Sequence, residues 1–226
     1  MNNNSQRKQR GWAENSELSA YKNKSISELS NLLFSENAGQ RTIAAKLIPL
    51  TCEISDILLS RLKTEPALYT RLALTEKLES GDQSTALRMI EFLADIGDNQ
   101  HRTPIAPSKK KSFPLPRDLI ARSLGRMKPE IFPTLLAAAE QLPSSQLSEL
   151  IDGIGYMAFY HPALATTENY QRLLQIKKAH SNEPLIQWKF LICFSAFPQS
   201  TELLHQEEQF TDEAQRSLKL LALKKD

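Results

Sequence analysis

The densest grouping of chemically able side chains in this sequence is the basic stretch Asn99–Asp118, which holds four prolines, five Lys or Arg and one acid. Lys109, Lys110 and Lys111 offer three adjacent ammonium groups, and His101 and Arg102 add directional donors. Such a set suits the capture of phosphates or carboxylates. It equally suits a solvated basic loop that packs its prolines and Phe113 over a seam between helices, because short lysine runs are common. Prolines at this density exclude helix and stiffen the chain toward polyproline II. A connection this long without secondary structure is usually functional or disordered. A chain in which a short linker bridges Gly97 to Pro116 is expected still to fold, because the helices on each side keep their own frame.

No other constellation reads as reactive. His101, His161, His180 and His205 are scattered, and none stands at ligand spacing from another His or a Cys. Asp95 with Asp98 and Glu207 with Glu208 are explained by a helix end and an exposed acidic stretch. There is no phosphate-cradling glycine loop, nucleophile elbow or kinase signature. Cys52 and Cys193 sit among apolar residues and are expected as buried free thiols. The aromatic residues Tyr156, Phe159, Tyr160, Trp188, Phe190, Phe194 and Phe197 fit core packing better than a pocket. No catalytic residue, cofactor or metal is expected, and a non-enzymatic role follows.

The 226 residues are 41% hydrophobic and 24% charged, with a net charge of +2 and no valine. A chain without valine is poorly supplied for a sheet, and its Leu, Ala, Glu, Lys and Gln favour helix. With so small a net charge, contact with nucleic acid would need a local patch. No apolar run approaches the ~18 residues of a membrane span. The polar, basic start lacks the apolar core of a signal peptide, so a cytoplasmic protein is expected.

The elements that position the basic stretch follow from a repeated spacing. Arg41, Ala45 and Ile48 stand four and then three residues apart, as do Arg71, Thr75 and Leu78, and Arg117, Ala121 and Leu124. Leu147, Ile151 and Ile154 keep the frame without the Arg. These offsets fall on one helix face, and their recurrence predicts stacked helix pairs. The expected pairs are 27–35 with 40–50, 54–62 with 67–78, 84–96 with 117–127, 129–142 with 145–160, and 168–179 with 185–197. A helix at about 212–223 would cap the array. Residues 1–16 read as a disordered basic tail and 17–226 as a single helical domain, with the long Pro/Lys-rich loop at about 98–116.

Ile131–Phe132–Pro133–Thr134–Leu135–Leu136, followed by Leu150–Ile151–Asp152–Gly153–Ile154–Gly155–Tyr156–Met157–Ala158, resembles a HEAT repeat. Leu93–Ala94–Asp95–Ile96–Gly97–Asp98 and Ala121–Arg122–Ser123–Leu124–Gly125–Arg126–Met127 resemble the helix ends of the same family. The likeness covers roughly residues 27–200. It implies an all-α, HEAT-like right-handed α-solenoid of about five helix pairs with one long inserted loop. It also implies that Arg41, Arg71 and Arg117 form a structural ladder, each meeting an acid of a neighbouring turn or repeat.

The fold itself serves many tasks. The expected function is a protein-interaction or scaffold module that uses the concave face and the 99–118 loop, with another protein or peptide as partner. The alternative is a nucleic-acid-binding protein related in fold to HEAT-like glycosylases of alkylated DNA bases. None of their catalytic residues maps onto this chain.

Overall fold

A reciprocal cap opens the first long helical region: the Ser25 hydroxyl accepts from the Glu28 N–H at 3.2 Å, and the Glu28 carboxylate accepts from the Ser25 N–H at 2.8 Å. One-way side-chain caps start later helices at Asn37, Thr51, Asp82, Asp118 and Thr166. The computed structural model describes residues 3–223; Met1, Asn2 and residues 224–226 lie outside it. Among the described residues every regular element is helical.

The chain divides into two compact units between Asp95 and Ile96, where one domain was expected over 17–226. The first unit holds α1 (Asn3–Gln9), α2 (Asn15–Leu18), α3 (Ile26–Leu32), α4 (Ala38–Leu47), α5 (Cys52–Thr64), α6 (Leu68–Glu79) and α7 (Gln83–Ile90). The second holds α8 (Leu119–Arg126), α9 (Phe132–Ala139), α10 (Ser144–Tyr160), α11 (Thr167–Ala179), α12 (Pro184–Phe194), α13 (Thr201–His205) and α14 (Thr211–Ala222).

In the first unit α4 packs on α6, α5 on α6 and α7, and α3 on α4. A buried hydroxyl pair, Thr42 with Thr70 at 2.9 Å, joins α4 to α6. Residues 3–16 do not form a disordered tail. The Arg7 guanidinium lies 4.6 Å over the Trp12 ring, and Trp12 meets Tyr69 edge-on at 5.1 Å. The Arg10 carbonyl accepts the Tyr69 N–H at 2.9 Å. Ala67 offers no side chain to cap α6, and the arm's own backbone supplies that acceptor instead. One Trp and one well-placed carbonyl outweigh the polar composition of the segment.

The helix expected over 84–96 stops at Ile90. The next bonds, Phe92 to Met89, Leu93 to Ile90 and Asp95 to Phe92, all reach back three residues rather than four. Ala94 takes a φ of +64°. On this tighter path Leu93 is buried, while Leu87 of the predicted stripe is exposed.

Arg41 is buried and forks onto Glu65, with Nε and Nη2 at 2.8 and 2.7 Å from its two oxygens. Its Nη1 donates to the carbonyls of Ser35 and Glu36. Arg61 donates to the same carboxylate at 2.8 Å. Burial works to raise the pKa of Glu65, but Arg41, the Ala67 N–H and Arg61 outweigh it and hold the carboxyl below its usual range.

The other expected rungs differ. Arg71 is half-buried, Arg117 is exposed, and neither side chain makes a hydrogen bond or ion pair among the described residues. Arg41 and Arg71 stand four residues after their N-caps, Asn37 and Ala67. Arg117 instead precedes the cap Asp118, so the equivalent position is Arg122. Its Nε reaches back six residues to the Pro116 carbonyl at 2.9 Å, as Arg41 reaches Ser35. Arg41→Ala is therefore expected to cost roughly 3 kcal/mol, because it uncovers a buried carboxylate. Arg71→Ala and Arg117→Ala should stay within about 0.5 kcal/mol. Urea unfolding of the three variants checks this, and equal losses would restore the uniform ladder.

In the second unit α10 is the hub: α8 and α12 pack on it, α9 lies beside it, and α14 packs on α12. Close approach needs glycine here. A Cβ on Gly153 would stand 2.7 Å from the Ala121 carbonyl of α8, and one on Gly155 would stand 2.8 Å from the Cys193 Cα of α12. Against this hub the long loop is laid.

Candidate functional site

The 99–118 segment has no helix or strand, yet it is tied down along its length. Asp118 serves both ends. Its Oδ1 accepts the Ala121 N–H at 2.8 Å as the cap of α8, and its Oδ2 accepts the Gln100 amide at 2.9 Å. His101 meets the ring of Trp188, on α12, edge-on at 5.2 Å. Phe113 is 4% exposed and packs with Trp188 and Ile192, and against Tyr156 and Phe159. Between these anchors Arg216 of α14 takes hold of the backbone: its Nε donates to the Ser108 carbonyl at 2.9 Å and its Nη2 to the Ser112 carbonyl at 3.0 Å. Glu213, one helical turn earlier and buried, steadies that guanidinium at 3.0 Å. Burial raises the pKa of Glu213 despite this partner.

The two Arg216 contacts bracket Lys109, Lys110 and Lys111. Their side chains are exposed and form no ion pair or hydrogen bond among the described residues. Together with Pro107 and α14 they enclose a cleft of about 580 Å³. Lys219 stands on its opposite wall, likewise unpaired, and Leu220, Ala222 and Leu223 line its apolar side. Neither His101 nor Arg102 lines this cleft, so only the three lysines of the expected anion-binding set come together. A larger open cleft of about 800 Å³ in the first unit carries no such excess of charge, for its Lys8 faces Glu17 at 3.6 Å and its Arg41 is held by Glu65.

His101 is not poised as a cationic donor. Burial first, then the charges of Arg117 and Lys189, push its pKa down from 6.5 to about 4. The unfolded chain therefore takes up this proton at a higher pH than the folded one. The contribution is full above pH 6.5 and is lost as pH falls toward 4. His101→Phe should keep the contact with Trp188 and flatten the fall of melting temperature across that window; an unchanged slope would show that another group governs it.

Behind Trp188 lies a charged centre with no counterpart among the sequence expectations. Lys189 is fully buried, with its Nζ 2.8 Å from Glu149 Oε1 and 3.0 Å from Asp152 Oδ2, both on α10. Glu149 Oε2 is buried with no hydrogen-bond partner. Burial raises the pKa of Glu149 and of Asp152, with Asp118 adding to both. Burial would lower that of Lys189, but Asp152 and Glu149 override it and the ammonium is retained. The signal in the sequence was a lone Lys inside Ile186–Phe194, otherwise nearly all apolar, and two acids three residues apart inside a buried stripe. The arrangement joins α10 to α12, and burial closes Lys189 off from solvent.

Cys193 is buried and its pKa is pushed far up by burial and by Asp152, whereas Cys52 is only partly buried, with Arg88 Nε at 3.5 Å. Among the described residues no group of His, Cys, Asp or Glu is placed to hold a metal ion. No described helix is long and apolar enough to cross a membrane. Comparison with protein-family models, with curated proteins and with solved structures finds no match.

Proposed function

We propose that this protein is a non-enzymatic interaction module of HEAT-like build, which presents the lysines of a fixed loop to an anionic partner. The observation that carries this reading is the double grip of Arg216 on Ser108 and Ser112. A flexible lysine loop loses conformational entropy on binding; one whose backbone is already held loses less. The solenoid part of the reading draws on helix order within each unit: α4 with α6 and α5 with α7, then α8, α10, α12 and α14 in succession. Packing of alternate helices is the pattern of stacked pairs.

The test is recovery of partners on the tagged protein from its own cells, with protein and nucleic acid both measured in the eluate. Lys109, Lys110 and Lys111 are changed together to Ser. The melting temperature should hardly move, because exposed substitutions usually fall within about 0.5 kcal/mol. An acidic protein bound by the parent should be lost. Unchanged recovery would refute a role for the loop, and nuclease-sensitive recovery would favour the nucleic-acid alternative.

A further inference from the structure

We infer that the cleft between residues 107–111 and α14 is a binding site for a linear acidic peptide, with carboxylates on either side of an apolar side chain. This rests on the interaction-module reading and names the occupant of its site. Four ammonium groups, from Lys109, Lys110, Lys111 and Lys219, ring a cleft of about 580 Å³ and have no acid as partner among the described residues. Repulsion among like charges in so small a space is relieved by an occupant of opposite sign. The floor is apolar, and Leu223 is 51% exposed on it. A partner of carboxylates alone would leave that floor wet; one with a Leu-sized group covers it.

The strap also has spare backbone donors. Ser108 and Ser112 give their carbonyls to Arg216, and the Lys110 N–H goes to the Ser108 hydroxyl. The N–H groups of Lys109 and Lys111 make no hydrogen bond among the described residues. Free N–H groups on a backbone already held in place can be given to the main-chain carbonyls of a bound peptide. Nucleic acid fits less well. No aromatic ring lines the cleft for bases to stack on, and Asp212 lies on its wall.

The probe is a fluorescein-labelled twelve-residue peptide of glutamates flanking two central leucines, followed by anisotropy. A second peptide has both leucines changed to Ser, and a labelled oligothymidylate is a third probe. The leucine peptide should bind, and binding should weaken with salt between 50 and 200 mM. The triple Lys→Ser variant should bind it about tenfold or more weakly, with a flatter salt dependence. Leu223→Ser should weaken the leucine peptide and leave the serine peptide unchanged. Arg216→Lys keeps a charge near the cleft but not the two-carbonyl grip; it should weaken binding as well, so a bare charge effect is told apart from a held strap. Equal binding of both peptides, or of parent and triple variant, overturns the proposal. So does binding of the oligothymidylate alone. If no peptide binds while the triple variant still loses its cellular partner, the peptide site is wrong and the interaction-module reading survives.

Discussion

Lys189→Met is expected to destabilise the second unit by about 3–5 kcal/mol at neutral pH, because removing one member of a buried ion group strands the rest. Met matches the length of the lost stem, so packing changes little and the loss reports charge. Glu149 and Asp152 would face each other with no cation. Both already have pKa values raised by burial, and without the ammonium they rise further. The neutral acids tolerate burial, so the penalty should shrink as pH falls through those raised values. Adding Glu149→Gln and Asp152→Asn to the Met variant should recover most of the stability. Urea unfolding at pH 7 and pH 5 checks both statements. A Met variant within about 0.5 kcal/mol of the parent at pH 7 would mean that the ion group is not energetically coupled to folding.

Phe113→Ala should cost about 3–5 kcal/mol, the usual range for emptying an aromatic site in a core. The ring lies 5.4 Å from Phe159, and a Cβ on Gly155 would come within 2.7 Å of its tip. The cavity therefore opens against a stiff helix that cannot collapse into it. A chain shortened between Gly97 and Pro116, expected from the sequence still to fold, loses Phe113 and the two carbonyls that hold Arg216, and should be less stable than the parent. In the Ala variant, limited proteolysis should cut between Arg102 and Lys111 sooner than in the parent. A variant that melts with the parent and resists the protease would return the loop to the status of a connector.

Much of the helical framework was legible because its signals are local. The Ser25–Glu28 cap and the apolar stripes place α3, α4, α5, α6, α11 and α12 to within a few residues of where they lie. Arg117 misled because a spacing pattern cannot tell one turn from the next. The cap, Asp118, was the better marker, and it moves the rung to Arg122. The basic loop was legible as a feature but not as a docked one, since Phe113 and Arg216 are joined to their partners only by tertiary folding. The charged centre was missed for the same reason: Lys189 and Glu149 are forty residues apart in the chain. Each reads locally as an anomaly, and only together do they make sense. The docking of the N-terminal arm was hidden by its polar composition.

The grip of Arg216 on Ser108 spans 108 residues. During synthesis the lysine run leaves the ribosome long before the helix that fixes it. Loop ordering across such a separation comes late, after nearer contacts have formed. Until α14 is made, Lys109, Lys110 and Lys111 are present as charge but not as a shape. The cleft thus comes into being only once α14 has been made, and a partner that requires it would bind only chains on which α14 has docked.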